Sequence, residues 1–257
     1  MIPRLSFAPF RRAFAVLALA SCTCAAAAVS TAVADVIVLQ SSAPSLKAGR
    51  TLKSADAISV PSGNSVVLML PNGATKTVTG PFQGKASAFT KGMSRNAALW
   101  DSVKKYVQTG GTTTSSVGAT RGIAPPLQPG SADSGSAAAF SWRHIPISAS
   151  GDVCVARGQP LSLTRERAAG PLKLTLVDFK SAKRTVINFA AGARTAPWPA
   201  DVEPKAERYA LMTPSRDMIT IRLRLIAQLP DKDRALQVLH GERCMSQLHM
   251  VLRAFNK

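Results

Sequence analysis

Residues 109–140 constrain the fold of this chain more than any other segment. Thr112–Ser116, Pro125-Pro126, Pro129-Gly130 and Ser131–Ala139 carry almost no apolar periodicity, and only Arg121 and Asp133 are charged. A stretch of that composition buries too little surface to offset its ordering entropy. It therefore reads as a disordered linker. The patterned sequence on either side, 35–108 and 141–257, must build the folded structure as two modules.

Residues 1–34 carry a different signal. Arg4, Arg11 and Arg12 precede an apolar stretch from Ala13 to Ala20 that runs on into Ala25–Ala28. Ala32-Val33-Ala34 then has the small-x-small form of a cleavage site, which makes Asp35 the first mature residue of a periplasmic or secreted protein. Leu19-Ala20-Ser21-Cys22 also fits a lipobox, so Cys22 is a candidate for lipidation and membrane attachment. Residues 13–34 could also remain as an uncleaved anchor, since about 20 apolar residues span a bilayer.

Removing the three arginines of this segment from 32 basic residues leaves 29 against 14 acids, a net charge of +15. The charge is spread along the chain, with no block of like residues. It favours anionic partners, either envelope polymer or lipid head groups. Nucleic acid is disfavoured, because the aromatic residues are too few and scattered to make a stacking platform. Two cysteines follow residue 34, Cys154 and Cys244. In an exported chain such a pair is most simply a disulfide, worth about 4 kcal/mol for a loop of this length in the chain-entropy model. A metal site drawing on His240, Cys244, His249 and Cys154 is the weaker alternative, because the step from 244 to 249 turns away from the helix face shared by 240 and 244.

Short strands are expected at 36–39, 57–60, 65–70 and 76–79, with Asn72-Gly73 at a tight hairpin. A helix follows from Ser94, its N-cap, to Val107, with Ala97, Trp100, Val103 and Val107 inward. The pattern Leu46…Gly49…Leu52, Val60-Pro61-Ser62-Gly63, Asn72-Gly73 and Gly80-Pro81-Phe82 resembles the periplasmic FecR-type domain of iron-dicitrate sensors, over residues 36–84. That resemblance implies a compact β-module that binds or relays. Sensors of that family also carry a cytoplasmic segment that touches a sigma factor, whereas at most twelve residues precede the apolar run here. Sigma-factor relay is thus the lesser expectation.

Beyond the linker, strand patterns recur at 141–147, 153–155, 160–163, 172–177, 185–189, 208–212 and 218–225. In the last of these Ile219, Ile221, Leu223 and Leu225 alternate with Thr220, Arg222 and Arg224, the half-buried pattern of a β-sandwich. Arg222 and Arg224 are therefore placed on a solvent face as candidate contacts for an anionic partner. A helical hairpin closes the chain, 232–240 capped by Asp231 and 242–255 with Cys244, Leu248, Val251, Leu252 and Phe255 on one face. Trp142, Ser150-Gly151-Asp152-x-Cys154, Pro197-Trp198-Pro199, Tyr209 and Cys244-x-x-Gln247 together resemble the tail of uncharacterised exported proteins of Gram-negative bacteria, which implies location and fold alone.

No catalytic set is legible. His144, His240 and His249 are the only histidines, and none sits beside a Gly-x-Ser-x-Gly elbow. Glu166 and Asp178 could act as a carboxylate pair only if the fold brought them together. The expected fold is mainly β: a small antiparallel module with a helix, a linker, and a β-sandwich-like domain ending in helices. The expected function is non-enzymatic binding or scaffolding in the cell envelope without cofactor or metal. A periplasmic enzyme and a FecR-type sensor are the alternatives.

Overall fold

The computed structural model describes residues 35–109, 140–167, 170–215 and 217–255. The expected signal or anchor, Cys22 within it, and nearly all of the expected linker lie outside these residues. The chain is mainly β with a C-terminal helical pair. Among the described residues no helix is long and apolar enough to cross a membrane.

Strand β1 (Val36–Ser41) organises the N-terminal half. It pairs antiparallel with β2 (Thr51–Leu52) and β4 (Ser65–Met69), and β5 (Thr75–Thr79) completes a sheet of order β2-β1-β4-β5. Strands β3 (Ala57–Val60) and β6 (Phe82–Lys85) form a separate antiparallel ribbon. Strand β1 is apolar without alternation because both of its faces are covered. Val36 and Val38 enter a core with Leu52, Ile58, Val66 and Leu68, while Ile37 and Leu39 enter a second core on the opposite side. Side chains of successive strand residues point to opposite faces, so an unbroken apolar run marks a strand buried twice.

The connection between β4 and β5 is longer than the tight hairpin expected, with Leu70 N–H donating to Ala74 O at 2.7 Å. Gly73 sits there at φ +90°, and a Cβ would overlap the Leu99 side chain. Helix α1 (Ala97–Gln108) packs against this point. Its N-cap is Asn96, whose side chain accepts from Leu99 N–H, and not Ser94. Its buried face is Leu99, Trp100, Val103 and Tyr106, with Ala97 exposed. Trp100 and Val103 face inward as expected, and Val107 packs against the same core.

The C-terminal half is a two-sheet sandwich. Strands β8 (Gly151–Ala156), β10 (Leu172–Asp178), β11 (Arg184–Phe189), β13 (Arg208–Met212) and β14 (Met218–Ile226) form one sheet of order β11-β10-β13-β14-β8. Strands β7 (His144–Pro146), β9 (Ser162–Thr164) and β12 (Thr195–Pro197) form the other, ordered β12-β9-β7. Most pairs are antiparallel, but β14–β8 and β7–β9 are parallel. Inward residues of both sheets interdigitate, among them Val153, Leu163, Leu176, Phe189, Ala196, Leu211 and Leu223. Trp198 packs edge-on against Tyr209 at 5.2 Å and donates its indole N–H to Val202 O at 2.6 Å. The Tyr209 hydroxyl accepts from Lys205 N–H at 3.0 Å, so both buried aromatics satisfy their polar ends.

Helices α2 (Ala235–Gly241) and α3 (Met245–Phe255) cover the outer face of the five-stranded sheet at its β8 edge. A short 3-10 turn, Lys232–Arg234, precedes α2, and Asp231 makes no side-chain cap there. Leu236, Leu239, Leu248 and Leu252 join Ile37, Leu39, Met69, Leu99, Trp100, Val103, Tyr106 and Cys154 in one core. That core draws on both sides of segment 110–139. The described residues accordingly form one compact unit.

Candidate functional site

Cys154 and Cys244, expected to pair, are joined by a disulfide with Cα atoms 5.8 Å apart, which ties β8 to the elbow between α2 and α3. One turn along the helix, Gln247 reaches the same strand residue. Its Oε1 accepts from Cys154 N–H at 2.7 Å and its Nε2 donates to Cys154 O at 2.8 Å and to His144 O at 3.3 Å. The amide thus takes the place of a neighbouring strand at the β8 edge. With both sulfurs in a covalent bond, neither thiolate is available as a metal ligand. Among the described residues no group of three or more potential ligands could hold an ion. His249 lies flat against Tyr106 with ring centroids 5.0 Å apart.

The carboxylates considered for catalysis have separate partners. Glu166 pairs with Arg253 at 3.1 Å. Asp178 accepts from Ser181 Oγ at 2.7 Å and from Lys180 N–H at 2.9 Å, which hold its carboxyl below the usual carboxylate range.

Arg222 and Arg224 do lie on the outer face of the five-stranded sheet, but neither is a free cation. Arg222 stands beside Asp152 across the parallel β14–β8 pair. It grips that carboxylate through Nε at 2.6 Å and Nη2 at 2.9 Å. Arg224 adds a contact at 3.1 Å. The Arg222 hydrogen bond, helped by Arg224, lowers the Asp152 pKa against the opposing effect of burial. The Nε atom of Arg224 is buried without a hydrogen-bond partner.

Arg208 stands directly opposite Arg222 across the antiparallel β13–β14 pair. Among the described residues its guanidinium has no hydrogen-bond or ion-pair partner. Like charges in directly opposed positions destabilise a sheet. Two shallow hollows flank the pair. One, of about 400 Å³, is lined by Phe179, Lys180, Ala206, Glu207, Arg208 and Arg222. The other, of about 390 Å³, is lined by Gly151, Asp152, Thr220 and the same two arginines. Phe179 is 54% exposed, as Val186, Met218 and Leu229 are to similar degrees. Its N–H donates to Arg208 O at 3.4 Å, and the Asp178 cap fixes the turn that carries it.

Arg208 and Phe179 are absent from the residues picked out by sequence. The signal for Arg208 was available, since in Arg208-Tyr209-Ala210-Leu211 it alternates with core residues and must face outward. Phe179 stands in a polar turn, Asp178-Phe179-Lys180-Ser181, where an aromatic serves no local need. No family model, curated protein or solved structure matches this chain.

Proposed function

We propose that this chain is an exported, non-enzymatic envelope protein that binds an anionic envelope component through the outer face of its five-stranded sheet. The observation that carries this role is the unpaired Arg208 opposed to Arg222, an arrangement that an anion would stabilise. The +15 charge of residues 35–257 supplies long-range attraction toward such a surface. The FecR-type resemblance of residues 36–84 is in keeping with a binding module. A non-catalytic role is supported by the employment of the reactive side chains in packing and ion pairs: His249 on Tyr106, Glu166 on Arg253, and Asp152 between two arginines.

Sedimentation tests the role directly. Protein recovered from the envelope fraction should begin at Asp35 and co-sediment with lipopolysaccharide or peptidoglycan at low salt. Screening lengths near 8 Å at physiological ionic strength imply that binding falls steeply as salt is raised. Arg208→Ala should weaken it more than Lys104→Ala on the exposed side of α1. Equal effects of the two substitutions, or no binding to either polymer at low salt, would overturn the proposal.

A further inference from the structure

Resting on that role, we infer that Arg208, Arg222 and Phe179 form a single recognition site for an anionic sugar, with the acidic group on the arginines and the ring on the phenyl face. Arg208 offers all five of its N–H donors. Arg222 uses two toward Asp152 and keeps the rest. A carboxylate or phosphate between them would accept the fork of one arginine and the spare donors of the other. It would also relieve the opposition of like charges across β13 and β14. The neighbouring carboxylates offset only part of this field, because Glu207 and Asp152 stand against four cations, Lys180, Arg208, Arg222 and Arg224.

The body attached to the anion is indicated by the first hollow. Its volume, about 400 Å³, lies at the small-ligand end of binding pockets, which span roughly 300–1,000 Å³. Phe179 offers a flat face whose negative quadrupole suits the C–H groups of a saturated ring. The Phe179 N–H bond to Arg208 O holds the two at a fixed offset. Apart from Phe179 and Ala206 the lining is charged. An acyl chain, which gains about 0.8 kcal/mol per methylene only against apolar walls, would find no continuous track. A peptide adding as a further strand would need open backbone groups, and here the backbones of β13 and β14 are already paired.

The test is a titration of the full chain, followed by NMR, with glucose 6-phosphate, glucuronate, glucose, inorganic phosphate, dihexanoyl phosphatidate and triglutamate. Both acidic sugars should perturb Phe179, Lys180 and Arg208 and bind more tightly than any other probe. Phe179→Ala should weaken glucose 6-phosphate about fivefold or more while leaving inorganic phosphate unchanged. Arg208→Ala should weaken both. Equal binding of phosphate and glucose 6-phosphate, no effect of Phe179→Ala, or preference for the phosphatidate or the peptide would overturn the inference. If envelope polymer binds and depends on Arg208 while the acidic sugars do not bind, the sugar site falls and the broader role stands. If neither binds, both fall.

Discussion

Gln247 completes a sheet edge with one side chain. Cys154 is fully buried, so its N–H and C=O cannot turn to water if the amide is removed. A buried donor or acceptor left without a partner costs about 1–3 kcal/mol. Gln247→Ala strands two such groups and should lower unfolding stability by about 2–4 kcal/mol. Urea titration would measure it, with an unchanged slope showing that the native state is intact. A loss under 0.5 kcal/mol would mean that water replaces the amide. The same residue explains a limit of periodicity. Gln247 is polar by composition, yet it is as buried as Leu248 beside it. Only the position of an unpaired strand edge makes a buried amide favourable, and that position is set by tertiary structure.

At the scale of elements, α1 and α3 meet through His249 and Tyr106, and their contact should respond to pH. Burial, with a smaller contribution from Arg253, holds the His249 pKa below its ordinary value. The unfolded chain therefore takes up this proton first as pH falls. The associated stability is complete above about pH 6.5 and declines below it, toward the lower folded pKa. His249→Phe keeps a ring against Tyr106 without the titration. Its melting temperature should fall less between pH 7.5 and 5.5 than that of the parent; parallel slopes would refute the assignment. Other elements show what a linear reading can reach. Strands β10, β11 and β14 were legible, because each faces a core on one side and is more open on the other, and β13 was legible as a short apolar run. Strands β2, β6 and β12 were not, being two to four residues long and held by their neighbours. Helix α1 was legible with Trp100 and Val103 inward, but its cap is Asn96 and not Ser94, and Leu99 and Tyr106 take the buried place expected of Ala97. The outward facing of Arg222 and Arg224 was legible too. Their capture by Asp152 was not, because it depends on the parallel pairing of strands about 70 residues apart.

The described residues build three cores in series, with β1 as the wall between the first two and the β8 edge of the five-stranded sheet between the second and third. Proteases should cut between residues 109 and 140, where small and polar residues predominate. The products should stay together, because Ile37, Leu39 and α1 are buried against α2, α3 and Cys154. Size-exclusion chromatography after limited digestion should show one native-sized peak that separates only in denaturant. Two peaks in plain buffer would mean that the shared core is too weak to hold the halves. The double burial of β1 also has a consequence for the order of events as the chain emerges. Its Val36 and Val38 face can close on β2 and β4 within a few dozen residues, but the core on the Ile37 and Leu39 face, which α1 begins, is completed only by helices some 200 residues later. Contacts of such sequence separation form slowly. A growing or truncated chain therefore carries an incompletely covered hydrophobic core for most of its synthesis, a surface that a chaperone could hold and that would otherwise seed aggregation.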